Sequence, residues 1–327
     1  MKPKVALYWC ASCGGCEEAV VDLAEAILDV VEKVDIVFWP VAMDFKREDV
    51  EALEDGEIVA SFINGAIRFS EHVEMVELLR KKSKLVFAFG ACACFGGIPG
   101  LANCCSSDEI FDYVYRDSPT VVNPDDVRPT PGCEACNVRL DVPEFLDECK
   151  ALDEVIDVDY YIPGCPPSVN IIVDAFTALL EGNLPPKGSV LASQKSVCHD
   201  CRLNETKPEK ILIKEFKRVW EAEPEPDKCL LAQGFLCLGP VTRGGCGALC
   251  VGGNMPCTGC FGPLDGVMDY GAKALSYIAS IVDSMDEEEI DRILEKIPDP
   301  LGLFYKYSLP KSLLGGRIRR VAGGDDV

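Results

Sequence analysis

The sequence predicts an α/β protein: a doubly wound parallel sheet over residues 1–182, then an irregular domain with a few helices over 183–327. Three observations predict it. Apolar, β-branched segments alternate with segments of helical periodicity through the first half. Cysteines stand just after several of the predicted strands. Residues 198–265 then hold eight cysteines and many glycines with little periodicity, a composition that apolar packing alone does not hold together.

"KVALYW" and "VDIVFWPVAM" read as strands flanking a helix, in which Val20, Leu23, Ala24, Ile27, Val31 and Val34 recur at helical spacing. "EIVASFING" reads as a third strand. "SEHVEMVELLRKKS" reads as a helix opened by Ser70 and closed by basic residues. "KLVFAFG" is a continuous apolar run of the kind found in buried parallel strands. The proline-rich stretch "YRDSPTVVNPDDVRPTPGCEACNVRLDVP" reads as a long surface excursion. "VIDVDYYIPGCPP" is one more strand, ending at a cysteine, and "SVNIIVDAFTALLEG" the helix after it. "NLPPKGSVLASQ" marks a domain boundary. Two helices follow the cysteine-rich segment, "DYGAKALSYIASIVDSM" and "DEEEIDRILEKI", the second opened by the capping pair Asp286 and Glu289. The tail from Pro298 is apolar, broken by proline and glycine, and is expected to pack on the rest.

Composition narrows the function. The 327 residues are 48% hydrophobic and 26% charged, enough for a core without metal or disulfide support. A formal charge of −22 argues against nucleic acid or an anionic membrane as partner. The N-terminal segment shows no apolar signal region and no twin-arginine leader, and no apolar run suggests a membrane span, so a cytoplasmic protein is expected. In that compartment 19 cysteines point to metal before disulfides.

Placement matters more than number. Cys13 and Cys16 follow the first strand and open the first helix; Cys92, in "FGACACFGG", follows "KLVFAFG"; Cys165, in "IPGCPP", follows the last strand. The carboxyl ends of parallel strands share one edge, so these four thiols should converge there. Four thiolates suit a 4Fe-4S cluster or a tetrahedral zinc. The glycines of "CGGC" and "CFGG" fit close approach of backbone to sulfur, and the helix start should favour thiolate. The plainer reading makes them small buried residues in turns. Cys10 completes an apparent C-x2-C-x2-C run, but the next cysteine after Cys16 is Cys92, so Cys10 is expected to pack as a small thiol.

The second half supplies two further sets: Cys198, Cys201, Cys229 and Cys237, then Cys246, Cys250, Cys257 and Cys260. Structural zinc would explain their fold but not a third set at the edge of a separate sheet. Three sets in one chain suggest a wire. His199 is an alternative ligand, although Cys198 offers the better C-x2-C spacing with Cys201; His72 reads as a surface residue. No phosphate-binding loop or dinucleotide fingerprint is present. The chain has electron carriers and no evident site for substrate chemistry.

"CGGCEE", "GACACFGGIPG" and "IPGCPPS", in that order, resemble the proximal-cluster motifs of nickel–iron hydrogenase small subunits. "CHDC" and "PCTGC" resemble their medial and distal cluster region, so the likeness covers nearly the whole chain. It is nearest to the methyl-viologen-reducing, deazaflavin-non-reducing type of methanogens. The resemblance implies a flavodoxin-like first domain and three 4Fe-4S clusters: proximal on Cys13, Cys16, Cys92 and Cys165, distal on Cys198, Cys201, Cys229 and Cys237, medial on Cys246, Cys250, Cys257 and Cys260. It places the nickel–iron centre on a separate large subunit and no catalytic residue here. Electrons from hydrogen would leave through an iron–sulfur or flavin-bearing acceptor subunit towards heterodisulfide reductase. Deazaflavin-reducing and sulfur-reducing hydrogenases remain open within the family. The rival from another class is a zinc-stabilised scaffold. Cys10, Cys94, Cys104, Cys105, Cys133, Cys136 and Cys149 fall outside the implied ligands; Cys104, Cys105, Cys133 and Cys136 could carry a disulfide, zinc or a fourth cluster.

Overall fold

The computed structural model describes residues 2–135 and 138–314. From the N-terminus, β1 (Lys4–Trp9) leads into α1 (Gly15–Val21), α2 (Ala26–Lys33), β2 (Asp35–Phe38), α3 (Arg47–Glu51) and β3 (Ile58–Asn64). Next come β4 (Ile67–Phe69), α4 (Ser70–Lys82), β5 (Ser83–Phe89) and α5 (Ala91–Phe95). An excursion holds α6 (Ser107–Asp112), β6 (Cys133–Ala135), β7 (Val138–Leu140) and β8 (Phe145–Lys150) before β9 (Tyr160–Ile162) and α7 (Val169–Glu181). The remainder carries α8 (Val197–Asp200), α9 (Leu249–Gly252), α10 (Tyr270–Ser280), α11 (Glu287–Leu294) and α12 (Pro300–Phe304), joined by irregular chain.

The main sheet runs β2-β1-β3-β5-β9, all parallel. The first strand lies between the second and third, the doubly wound order whose switch point sits beside β1. Register aligns the strand ends. Trp9 faces Asn64, Asn64 faces Phe89, and Phe89 faces Ile162. Every turn leaving β1, β3, β5 and β9 therefore starts from one row.

One face of the sheet packs Phe62 against Phe87 and against Phe176 of α7, with ring centroids 4.7 and 4.6 Å apart. The other buries Ile63, Ile67, Val86 and Leu79 together with Tyr307 from the tail. A third core, built on Phe216, Phe235, Ile278 and Phe304, supports the cysteine-rich region.

Several local expectations change. The first helix is two: Ala24 takes φ +50° and separates α1 from α2. The break keeps Val20 and Leu23 in the core beside Trp39 and leaves Ala24 and Val31 exposed. The second strand stops at Phe38, ahead of Pro40, which has no N–H to donate; Val41 and Met43 beyond it are exposed. Directly after the proline-rich stretch comes a strand that the sequence did not mark: β8 pairs antiparallel with β4. His72 is not a plain surface residue: Nδ1 accepts from the Arg68 N–H at 3.3 Å, and its ring meets Phe69 edge-on. Residues 298–314 of the tail pack back on the first half, where the Tyr307 carbonyl accepts from the Gly97 N–H at 3.1 Å and Leu309 is fully buried; the rest of the tail lies outside the described residues.

Candidate metal centres

Four cysteines leave the aligned strand ends and meet. Cys13 and Cys16 flank Gly14 and Gly15 at the start of α1, Cys92 lies in α5, and Cys165 follows β9 in a turn with a cis Cys165–Pro166 peptide. Burial raises the pKa of Cys16 most, and the nearness of Cys92, Cys165 and Cys13 raises it further. Burial likewise pushes Cys92 up to about 12, with Cys165 and Cys13 adding to it. The thiolate preference expected from the helix start is thus outweighed by desolvation of Cys16, and a metal held here would have to supply the energy of deprotonation.

Two glycines show how tightly backbone wraps these sulfurs. A Cβ on Gly90 would stand 2.3 Å from Cys16 Sγ, and one on Gly97 2.4 Å from Cys92 Sγ; both residues also take positive φ, +87° and +58°. Only glycine fits such approach.

The other eight thiols form two groups. Cys198, Cys201, Cys229 and Cys237 line one small apolar pocket with Lys207. Cys246, Cys250, Cys257 and Cys260 line a cavity of about 310 Å3, together with Thr242 and with Cys165 from the first group. The groups touch. The Cys257 N–H donates to Cys237 Sγ at 3.3 Å, and the Cys165 N–H faces the Cys260 sulfur. Burial pushes Cys237 up to about 11 and Cys260 up to about 12. Asp200, between Cys198 and Cys201, accepts from the Gly245 N–H at 2.5 Å and ties the loop of one group to that of the other. His199 is exposed, its Nδ1 3.3 Å from Ser196 Oγ, and does not line the pocket of its neighbours.

Thiols outside these groups are placed differently. Cys10 is buried in the sheet core. Cys94 is buried, its S–H donating to the carbonyls of Ala88 at 3.3 Å and Ile162 at 3.5 Å. Cys149 packs with Ala66 beside Cys92, its backbone held at both N–H and C=O by the Asn103 amide at 2.8 Å. Cys104 is half-buried and Cys105 exposed, both unbridged. Cys136 and the side chain of Cys133 lie outside the described residues. Sequence reasoning missed Glu17, which is buried beside Cys16 and accepts from Trp39 Nε1 and from Asn64 Nδ2. Its partners stand 22 and 47 residues away, so no local pattern marks it.

The donor set tests which metal suits the sites. Among the described residues no three His, Cys, Asp or Glu side chains are grouped to hold one ion. A tetrahedral zinc needs its thiolates about 2.3 Å from a single point, whereas a cubane is a wider body whose thiolates stand at separate corners. Sulfur-only donors, pressed by Gly90 and Gly97 in the first group and lining cavities in the other two, fit the cubane.

Residues 13–179 match the family model described as "NADH ubiquinone oxidoreductase, 20 Kd subunit". The chain is 43% identical to the F420-non-reducing hydrogenase iron-sulfur subunit of Archaeoglobus profundus, over 97% of this chain and 99% of that protein. It is 37% identical to the corresponding F420-non-reducing hydrogenase subunit of Methanothermobacter thermautotrophicus, over 98% of each. Its fold resembles a chain in the structure of the [NiFeSe] hydrogenase from Desulfovibrio vulgaris Hildenborough, with a TM-score of 0.52, 19% identity, and coverage of 81% of this chain and 95% of that one. These relatives are oxidoreductase subunits, and F420 is the deazaflavin of the type that the motifs resemble. The chain belongs to the F420-non-reducing hydrogenase subunit family that the Archaeoglobus and Methanothermobacter proteins represent, within the wider family of the 20 Kd subunit of NADH ubiquinone oxidoreductase.

Proposed function

We propose that this chain is the electron-transfer small subunit of a cytoplasmic nickel–iron hydrogenase and holds three 4Fe-4S clusters. Cys13, Cys16, Cys92 and Cys165 would hold the proximal cluster within residues 1–182. Cys246, Cys250, Cys257 and Cys260 would hold the medial cluster and Cys198, Cys201, Cys229 and Cys237 the distal one, both within residues 183–327. When bound, such clusters supply one-electron storage at potentials set by burial and by hydrogen bonds to sulfur.

The observation that carries the reading is the lacing of the three thiol groups into a line. Cys165 meets Cys260, and Cys257 meets Cys237. A scaffold needs no such order, whereas electron passage depends on neighbouring centres. Among the described residues no helix is long and apolar enough to cross a membrane, and the charge of −22 suits protein partners better than lipid or nucleic acid.

The partners proposed are a large subunit holding the nickel–iron centre, an iron–sulfur acceptor subunit and, beyond it, heterodisulfide reductase. Purification of the native complex and identification of its chains tests this. Heterodisulfide reductase subunits should co-purify; a deazaflavin-binding subunit in their place contradicts the assignment of the acceptor.

A further inference from the structure

The loop carrying Cys257 and Cys260 closes on a buried phenol. Tyr270, at the start of α10, is 4% exposed, and a Cβ on Gly259 would stand 2.1 Å from its hydroxyl oxygen. Gly259 takes φ +98°, so the loop reaches the phenol only with glycine there. The Tyr270 hydroxyl lies 2.8 Å from Oγ1 of Thr242, which is 1% exposed. Thr242 Oγ1 is also 2.6 Å from the Leu238 carbonyl, and Thr242 lines the same cavity as Cys257, near its sulfur.

Counting protons defines what this pair can do. Two hydroxyls share two protons among three contacts: the Leu238 carbonyl, the contact between the hydroxyls, and Cys257 Sγ. The carbonyl only accepts. If Thr242 donates to it, Tyr270 donates to Thr242, and the sulfur receives nothing from either hydroxyl, only the Gly259 N–H. A metal-bound thiolate is a stronger acceptor than a thiol. Rotation about the Thr242 Cβ–Oγ1 bond then turns its proton to the sulfur, while the Tyr270 proton stays on Thr242 Oγ1. No bond to carbon or sulfur breaks.

We propose that Thr242 and Tyr270 are positioning residues that supply a hydrogen bond to the Cys257 sulfur and thereby raise the reduction potential of the medial centre. The direction follows from charge: a donor stabilises the sulfur more in the reduced, more negative state. Cys257 is the apt place for such control, since its own N–H donates to Cys237 of the neighbouring group. This inference rests on the electron-transfer reading above. The competing account, that Thr242 merely satisfies a buried tyrosine, predicts no electrochemical effect.

The test uses the intact complex, with Tyr270→Phe and Thr242→Val each titrated electrochemically under EPR. The medial midpoint should fall in both variants, by roughly three- to tenfold in the reduction equilibrium (tenfold is 59 mV for one electron), with the proximal and distal midpoints unmoved. Thr242→Ser keeps the hydroxyl and should keep the wild-type midpoint. After exchange into D2O, the wild type should show one more deuteron coupled to the medial centre than Thr242→Val, which keeps only the coupling of backbone N–D groups such as that of Gly259. Unmoved medial midpoints at intact iron content overturn this inference alone. Absence of any iron–sulfur signal from the second half overturns the underlying reading, and this inference with it.

Discussion

At Cys92 and Cys260 burial opposes the chemistry the site needs: both thiols are pushed up to about 12. The side chains are poor free thiolates and would become good ligands only if metal replaced the proton. His72 shows the same desolvation acting on a cation. Burial lowers its pKa to about 4, from an unfolded value near 6.5. Below about pH 6.5 the unfolded chain takes up a proton that the folded chain refuses, so stability falls as pH drops, until the loss levels off near pH 4. His72→Gln keeps an acceptor for the Arg68 N–H and removes this titration. In urea titrations the wild type should lose on the order of 2 kcal/mol relative to the variant between pH 6.5 and 4. Parallel pH profiles would show that the ring is not desolvated as described. The helix assignment of His72 was legible from periodicity; its burial was not, because the partner ring of Phe69 belongs to β4, a three-residue strand with too little pattern to read.

At the scale of elements, β1, β5 and β9 matter through where they stop. Their register puts Trp9, Phe89 and Ile162 in line across the sheet through Asn64 of β3, and the turn after β5 must pass within van der Waals contact of Cys16. Gly90→Ala adds a methyl group 2.3 Å from that sulfur at a φ of +87°. Iron content should fall by about four atoms per chain, one 4Fe-4S cluster, while the EPR signals of the other centres persist. Retention of full iron would mean that the sulfur does not sit against this turn. The strand ends and their cysteines were readable because a parallel sheet forces convergence of its carboxyl ends. The break at Ala24 was not, because the apolar spacing from Val20 to Val34 continues through it. Nor was β8, whose sequence "FLDECK" carries a charge on both faces and takes its strand form from pairing with β4.

Across the whole molecule, the irregular second half is organised around thiols as much as around its apolar core. The tail completes the arrangement by returning to the first half, where Tyr307 packs into the sheet core and its hydroxyl lies 3.1 Å from Thr258 Oγ1, beside Cys257. Grouping of the eight later cysteines could be proposed from their order, whereas the contacts that lace one group to the next join backbone N–H to sulfur and leave no trace in residue type. The central claim is that twelve cysteines serve three clusters. The most direct test is the iron, acid-labile sulfide and zinc content of the chain purified without oxygen. The account predicts about twelve iron and twelve sulfide per chain, three 4Fe-4S clusters on four thiolates each, with zinc well below one. Stoichiometric zinc, with iron and sulfide near zero, would contradict it.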